Sequence, residues 1–192
     1  GIKSSGESTQ GAGSCAMLVS SNPRILEFNN DNVCLTRDVM DFWRPNYSQY
    51  AFVEGKFSTE QYLDCLTTTW GRFSEKSKQN LNDFSAVCLH LPYPKLGLKG
   101  LTLLLEQAEE EKKEELLARF NESILYSQRV GNIYTGSLFL GLLSLLENNT
   151  TLEAGNKIAL YSYGSGAVAE VFSMTLVDGY REQLRNNRFD DF

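Results

Sequence analysis

An α/β fold is what this sequence predicts, and three observations carry that prediction. Segments with strand character and segments with helical spacing alternate along the chain. The run Val87-Cys88-Leu89 is apolar at every position and is followed by Pro92, which cannot donate to a ladder. It therefore reads as a strand buried on both faces that stops near His90. The segment from Ser137 to Leu146 is apolar nearly all round until Glu147, as a buried helix is.

Taken in order, "GESTQGAGSCAMLVSSNPRILEF" reads as a glycine-rich approach, a strand at Cys15 to Val19, a turn at Ser21-Asn22-Pro23, and a second strand through Ile25, Leu26 and Phe28. The stretch from Asp41 to Phe52 is aromatic, contains Pro45 and has no period, so it reads as a loop. Ser58 with Gln61 forms a capping box, and Tyr62, Cys65, Leu66, Trp70 and Phe73 follow at helical spacing. After His90, Leu101 to Leu105 begin a short helix. "EEEKKEELLARFNESILYSQRVG" continues as a charged helix with Leu116, Leu117, Phe120 and Ile124 on one face. Thr135 or Ser137 caps the apolar helix. Lys157 to Tyr163 is a strand ending at Gly164-Ser165-Gly166, and Val168 to Val177 a further strand or strand pair. No short-period repeat is present.

Composition narrows the function classes. The 192 residues are 42% hydrophobic, enough for a real core, and the net charge is −6 with a pI near 4.9. Without a Lys/Arg stripe to neutralise phosphates, nucleic acid is a poor partner. The longest apolar stretch, Leu138 to Leu146, is far short of the roughly 20 residues that cross a bilayer. Four scattered cysteines, Cys15, Cys34, Cys65 and Cys88, lack the pairing of a zinc site or the density of a disulfide scaffold, and read as reduced thiols in a cytosol. Asn149-Thr150-Thr151 and similar triplets match a glycosylation acceptor too short to weigh. The chain opens on Gly1 in a Gly/Ser-rich stretch and reads as a piece of something longer.

Few residues invite chemistry. His90 is the only histidine, which rules out a multi-histidine metal site within the chain. Its place at a strand's carboxyl end is where open α/β sheets bind ligands, but a lone histidine there is commonly structural. Lys95 and Lys99 follow closely and can offer ammonium groups to a phosphate, or can be ordinary surface lysines. Asn132 is either a helix-start residue or an amide aimed at a carbonyl. Gly164-Ser165-Gly166 lacks the order of a nucleophile elbow, and no dinucleotide or P-loop motif occurs.

Read together, DFWRP, HLPYPK, GNIYTGS and SYGSG, in that order between about Gly6 and Leu184, resemble the bacterial type of 3-hydroxy-3-methylglutaryl-CoA synthase. The resemblance implies a thiolase-like fold, two similar α/β halves layered α-β-α-β-α. Residues 1–28 would then be the final strands of the N-terminal half, 29–80 an aromatic loop and connecting helix, and 81–192 the C-terminal half. It implies condensation of acetyl-CoA with acetoacetyl-CoA, the thioesters serving as substrates with no further cofactor, by a cytoplasmic homodimer. It further implies that His90 bonds the acetoacetyl carbonyl with Asn132 beside it, that Ser165 faces the same pocket, and that Asp41 and Phe42 line it. Lys95 and Lys99 would meet the phosphates of CoA.

Two departures accompany the likeness. The family's nucleophilic cysteine and general-base glutamate belong to motifs of the N-terminal half that this chain does not contain, so the chain is expected to be inactive alone and to need that half as a partner. The tail "DGYREQLRNNRFDDF" is shorter than the family pattern, through a deletion or a break near Leu184 to Arg188. Alternatives are a polyketide-pathway relative acting on carrier-protein-bound ketoacyl chains, and a non-catalytic half that binds CoA esters. Fatty-acid ketoacyl synthases also pair histidine with asparagine, but fit HLPYPK and SYGSG poorly.

Overall fold

The computed structural model describes residues 6–184. In chain order the elements are β1 (Leu26–Phe28), β2 (Val33–Thr36), β3 (Phe42–Trp43), β4 (Phe52–Val53) and α1 (Gly55–Ser77). After them come β5 (Ala86–Leu89), α2 (Pro94–Leu105), α3 (Glu110–Ser123), α4 (Leu125–Val130) and α5 (Gly136–Asn148). The last are β6 (Lys157–Gly164), β7 (Val168–Leu176) and α6 (Tyr180–Leu184).

The main sheet is mixed. β5 and β6 are parallel neighbours, with Leu89 opposite Tyr161, and β6 turns back into β7 as an antiparallel hairpin. β1 and β2 share the outer edge of β7, β1 beside Met174 to Leu176 and β2 beside Val168 to Val171. Alternation along the strands divides the core in two. Val87, Leu89, Ala159, Tyr161, Tyr163, Ala169 and Val171 face a layer built from α1, α2 and α3. Ala86, Cys88, Ile158, Leu160, Phe172 and Leu176 face α5 and Tyr180. A sheet covered on both faces explains why β5 reads as an unbroken apolar run.

Several expectations are corrected. Cys15 to Val19 forms no strand: Met17, Leu18 and Val19 are 58%, 84% and 90% exposed, because no strand of the described chain lies beside them. β1 lies in the same sheet as β5 to β7. The aromatic stretch is closed at its ends by the short β3–β4 pair. The helix expected at Ser58 starts at Gly55, its Glu54 cap makes no side-chain bond, and Ser58 turns its hydroxyl to Asp41 instead. The helix expected at Leu101 starts at Pro94, whose fixed φ suits a first helical position, so Leu101 to Leu105 are its last turns. The charged helix breaks at Ile124 into α3 and α4. Thr135 precedes α5 without capping it. Residues 185–188 of the expected tail break lie outside the described residues.

The packing of α2 rests on two glycines. A Cβ on Gly97 would sit 2.2 Å from Leu91 Cδ2 and 3.2 Å from the Phe120 ring; one on Gly100 would sit 2.8 Å from Leu66 Cδ2. Their absence lets the helix lie against the end of β5 and against α1.

Candidate functional site

Helix direction decides what shares one edge of the sheet. α5 leads through residues 149–156 to the start of β6, so its own start lies at the carboxyl edge of β5 and β6. α2 leaves that edge four residues after His90, and α1, which leads back to the start of β5, also begins there. His90, Asn132, Lys95, Asp41 and Ser165 therefore occupy one edge. Along it, β6 runs three residues past the level of Leu89 before Gly164, about 10 Å at a strand's rise.

His90 is 8% exposed. Its N–H donates to the Tyr161 carbonyl at 2.7 Å, and its carbonyl accepts from the Tyr62 hydroxyl at 2.8 Å. Neither imidazole nitrogen has a hydrogen-bond partner among the described residues. Burial pushes the imidazole down to about 4, so it is neutral at pH 7 and keeps one N–H to donate.

Asn132 is set by its surroundings. Its backbone pairs with the segment at Thr9 to Gly11, Asn132 N to Thr9 O and Gly11 N to Asn132 O, each at 2.8 Å. That approach requires Gly131 at φ +84° and Gly11, whose Cβ would lie 2.0 Å from the Val130 carbonyl. The side-chain oxygen accepts from Tyr134 N at 2.8 Å and Ser137 Oγ at 3.0 Å. The carbonyl end of the amide is thus occupied and the NH2 end has no partner among the described residues, which leaves a donor for a ligand.

Asp41 is fully buried at the centre of a clasp. Its Oδ2 accepts from Ser165 Oγ at 2.8 Å, Tyr163 OH at 2.9 Å and Ser58 Oγ at 3.2 Å, and its Oδ1 accepts from Gly166 N at 3.1 Å. The carboxylate is spent on protein donors. The Ser165 hydroxyl donates its one hydrogen bond to Asp41, and the Ser165 backbone N–H has no partner among the described residues. Phe42 is half-buried next to the clasp in β3. Lys95 and Lys99 are exposed, one turn apart on α2, and make no ion pair among the described residues. The start of α2 carries no acidic residue, so helix dipole and ammonium groups favour an anion together.

Two participants had no sequence signal beyond spacing. Tyr62 stands on the apolar face of α1 and Tyr163 in the β6 run, yet their hydroxyls hold His90 and Asp41. The available clue was chemical: a tyrosine at a fully buried position needs a partner for its hydroxyl. Among the described residues no group of His, Cys, Asp and Glu is arranged to hold a metal ion.

The family described as hydroxymethylglutaryl-coenzyme A synthase C terminal matches residues 30–118 and 104–188. A hydroxymethylglutaryl-CoA synthase of Enterococcus faecalis is 51% identical over 185 residues, 96% of this chain and 48% of that protein. One from Methanocaldococcus jannaschii is 31% identical over 90% of this chain and 46% of its own length. Among solved structures, an HMG-CoA synthase complexed with CoA superposes with a TM-score of 0.94 at 57% identity, covering all of this chain and 50% of that one. MvaS in complex with 3-hydroxy-3-methylglutaryl coenzyme A gives 0.83 at 31% identity, covering 96% and 51%. The chain thus spans about half the length of the relatives it matches. The fold is that of these synthases, and the chain belongs to the hydroxymethylglutaryl-CoA synthase family, whose C-terminal region it matches.

Proposed function

We propose that this chain is the acetoacetyl- and CoA-binding part of a hydroxymethylglutaryl-CoA synthase that condenses acetyl-CoA with acetoacetyl-CoA. The observation that supports the reading is a set of unspent donors along one sheet edge: the neutral imidazole of His90, the NH2 of Asn132 and the N–H of Ser165. The catalytic cysteine and the glutamate that takes the acetyl proton come from the other half of the enzyme. The enolate carbon formed there attacks the acetoacetyl carbonyl, and the oxygen that gains charge needs fixed donors. His90 supplies one and Asn132 stands beside it. The Ser165 N–H faces an acyl oxygen, while Asp41 holds the serine turn in place. Phe42 contributes apolar wall to the acyl pocket, and Lys95 and Lys99 meet the CoA phosphates at the start of α2. The protein works in the cytosol as a homodimer; its four free thiols support the compartment.

A carrier-protein-bound ketoacyl chain is the alternative substrate. Free CoA is preferred because the two neighbours of higher identity named above were solved with CoA and with 3-hydroxy-3-methylglutaryl coenzyme A.

The test is a pair of measurements. Residues 1–192 incubated with acetyl-CoA should show CoA-ester binding and no acetyl adduct in a mass spectrum; synthase turnover by this chain alone would overturn the division of labour. In a polypeptide carrying both halves, His90→Ala should weaken use of acetoacetyl-CoA and spare acetylation of the cysteine. Unchanged acetoacetyl-CoA dependence removes His90 from the role.

A further inference from the structure

The imidazole of His90 makes no hydrogen bond of its own to any described residue, so its aim is set by the main chain that carries it. That main chain has two anchors. One is the ladder bond to Tyr161, which any strand residue would make. The other is the hydroxyl of Tyr62, from a helix 28 residues earlier.

Tyr62 is itself held on every side. It is 1% exposed, its carbonyl accepts from the Tyr161 hydroxyl at 3.0 Å, and its ring meets those of Tyr161 and Tyr163 edge-on at 5.4 and 5.3 Å. Tyr163 in turn donates to Asp41, which holds Ser165. One side chain thereby ties the His90 peptide to the unit that carries the serine turn.

We infer that Tyr62 is a positioning residue: its phenol fixes the His90 peptide, and through it the direction of the imidazole, relative to the Asp41–Ser165 turn. The inference rests on the assignment of His90 to the substrate carbonyl. Its chemistry is geometric, because a donor displaced by about 1 Å from a developing oxyanion costs up to about a hundredfold in rate.

Tyr62→Phe keeps the ring and removes only the hydroxyl. Tyr180→Phe is the matched control: Tyr180 is also buried and its hydroxyl donates to the Leu152 carbonyl at 2.8 Å, but at the opposite edge of the sheet. In a polypeptide carrying both halves, Tyr62→Phe should lower kcat for condensation about ten- to a hundredfold, with acetylation by acetyl-CoA unchanged. Tyr180→Phe should leave both half-reactions as they were. A second readout uses the 192-residue chain itself, whose one histidine gives one set of imidazole NMR signals: Tyr62→Phe should shift them and Tyr180→Phe should not. If His90→Ala leaves condensation intact, the role of His90 falls and this inference with it. If His90→Ala abolishes condensation while Tyr62→Phe does not, or if both tyrosine variants act alike, this inference alone is overturned.

Discussion

Ser165 Oγ donates to Asp41 Oδ2 at 2.8 Å across 124 residues of sequence, so the turn after β6 and the aromatic loop before α1 form one unit. Four donors share that carboxylate; removing it leaves the buried Tyr163 hydroxyl without an acceptor, while the exposed Ser165 and Gly166 and the half-buried Ser58 can turn to water. An unsatisfied buried group costs about 1–3 kcal/mol, whereas trimming one donor loses about 1 kcal/mol. Asp41→Ala should therefore lower unfolding free energy by about 1–3 kcal/mol in urea, and Ser165→Ala by less than about 1. Equal effects of the two substitutions would show that the carboxylate is not the hub.

His90 makes stability depend on acid. Its folded value of about 4 lies below its unfolded value of about 6.5, so the unfolded chain binds the extra proton between them. The contribution is fully present above about pH 6.5 and is lost as pH falls toward 4. Between pH 7 and pH 5 the wild type should lose roughly 2 kcal/mol more than His90→Asn, measured by denaturant unfolding at both values. An equal loss in both proteins would show that the imidazole is as solvated in the fold as out of it.

Much of this was legible from residue patterns, for reasons that also mark where legibility ended. β5 and α5 declare themselves because burial on both faces forces apolar residues at every position, and the end of β5 follows from Pro92. The spacing of Tyr62, Cys65, Leu66, Trp70 and Phe73 fixes the inner face of α1. Its start was misread because Ser58 has the spacing of a cap and a tertiary partner that outbids it. Cys15 to Val19 has strand composition, but a strand also needs a neighbour, which local pattern does not report. Among the site residues, His90 stood out by strand-end position. Asp41 entered through the family resemblance as a pocket residue, and its four bonds show a structural clasp that no local signal contains.

Glycines on α2 and α1 predict opposite outcomes for the same substitution. Gly97→Ala drives a methyl into Leu91 and Phe120, and should destabilise by about 1–3 kcal/mol through overpacking. Gly71 lies inside α1 with nothing within 4 Å of its missing Cβ, so Gly71→Ala should stabilise by up to about 1 kcal/mol. Thermal midpoints that move in the same direction would contradict the packing of α2 against β5.

The thiols offer a last prediction, and it bears on the proposal that the bond-making cysteine comes from another half. A cysteine nucleophile needs a thiolate, favoured by nearby positive charge or a helix start. Here the thiols are all shifted the other way: burial pushes Cys88 up to about 12 and raises Cys65 and Cys15. Cys34, raised by burial and then by Glu170, is the one that is exposed. A disulfide reagent at neutral pH should therefore modify Cys34 first, while Cys65 and Cys88 react only at the rate of unfolding. Acetyl-CoA, a weaker electrophile, should acylate none of the four. Rapid native labelling of Cys65 or Cys88 would mean that a thiol in the core is reachable and ionised, and the case for a nucleophile supplied by another half would lose its chemical basis.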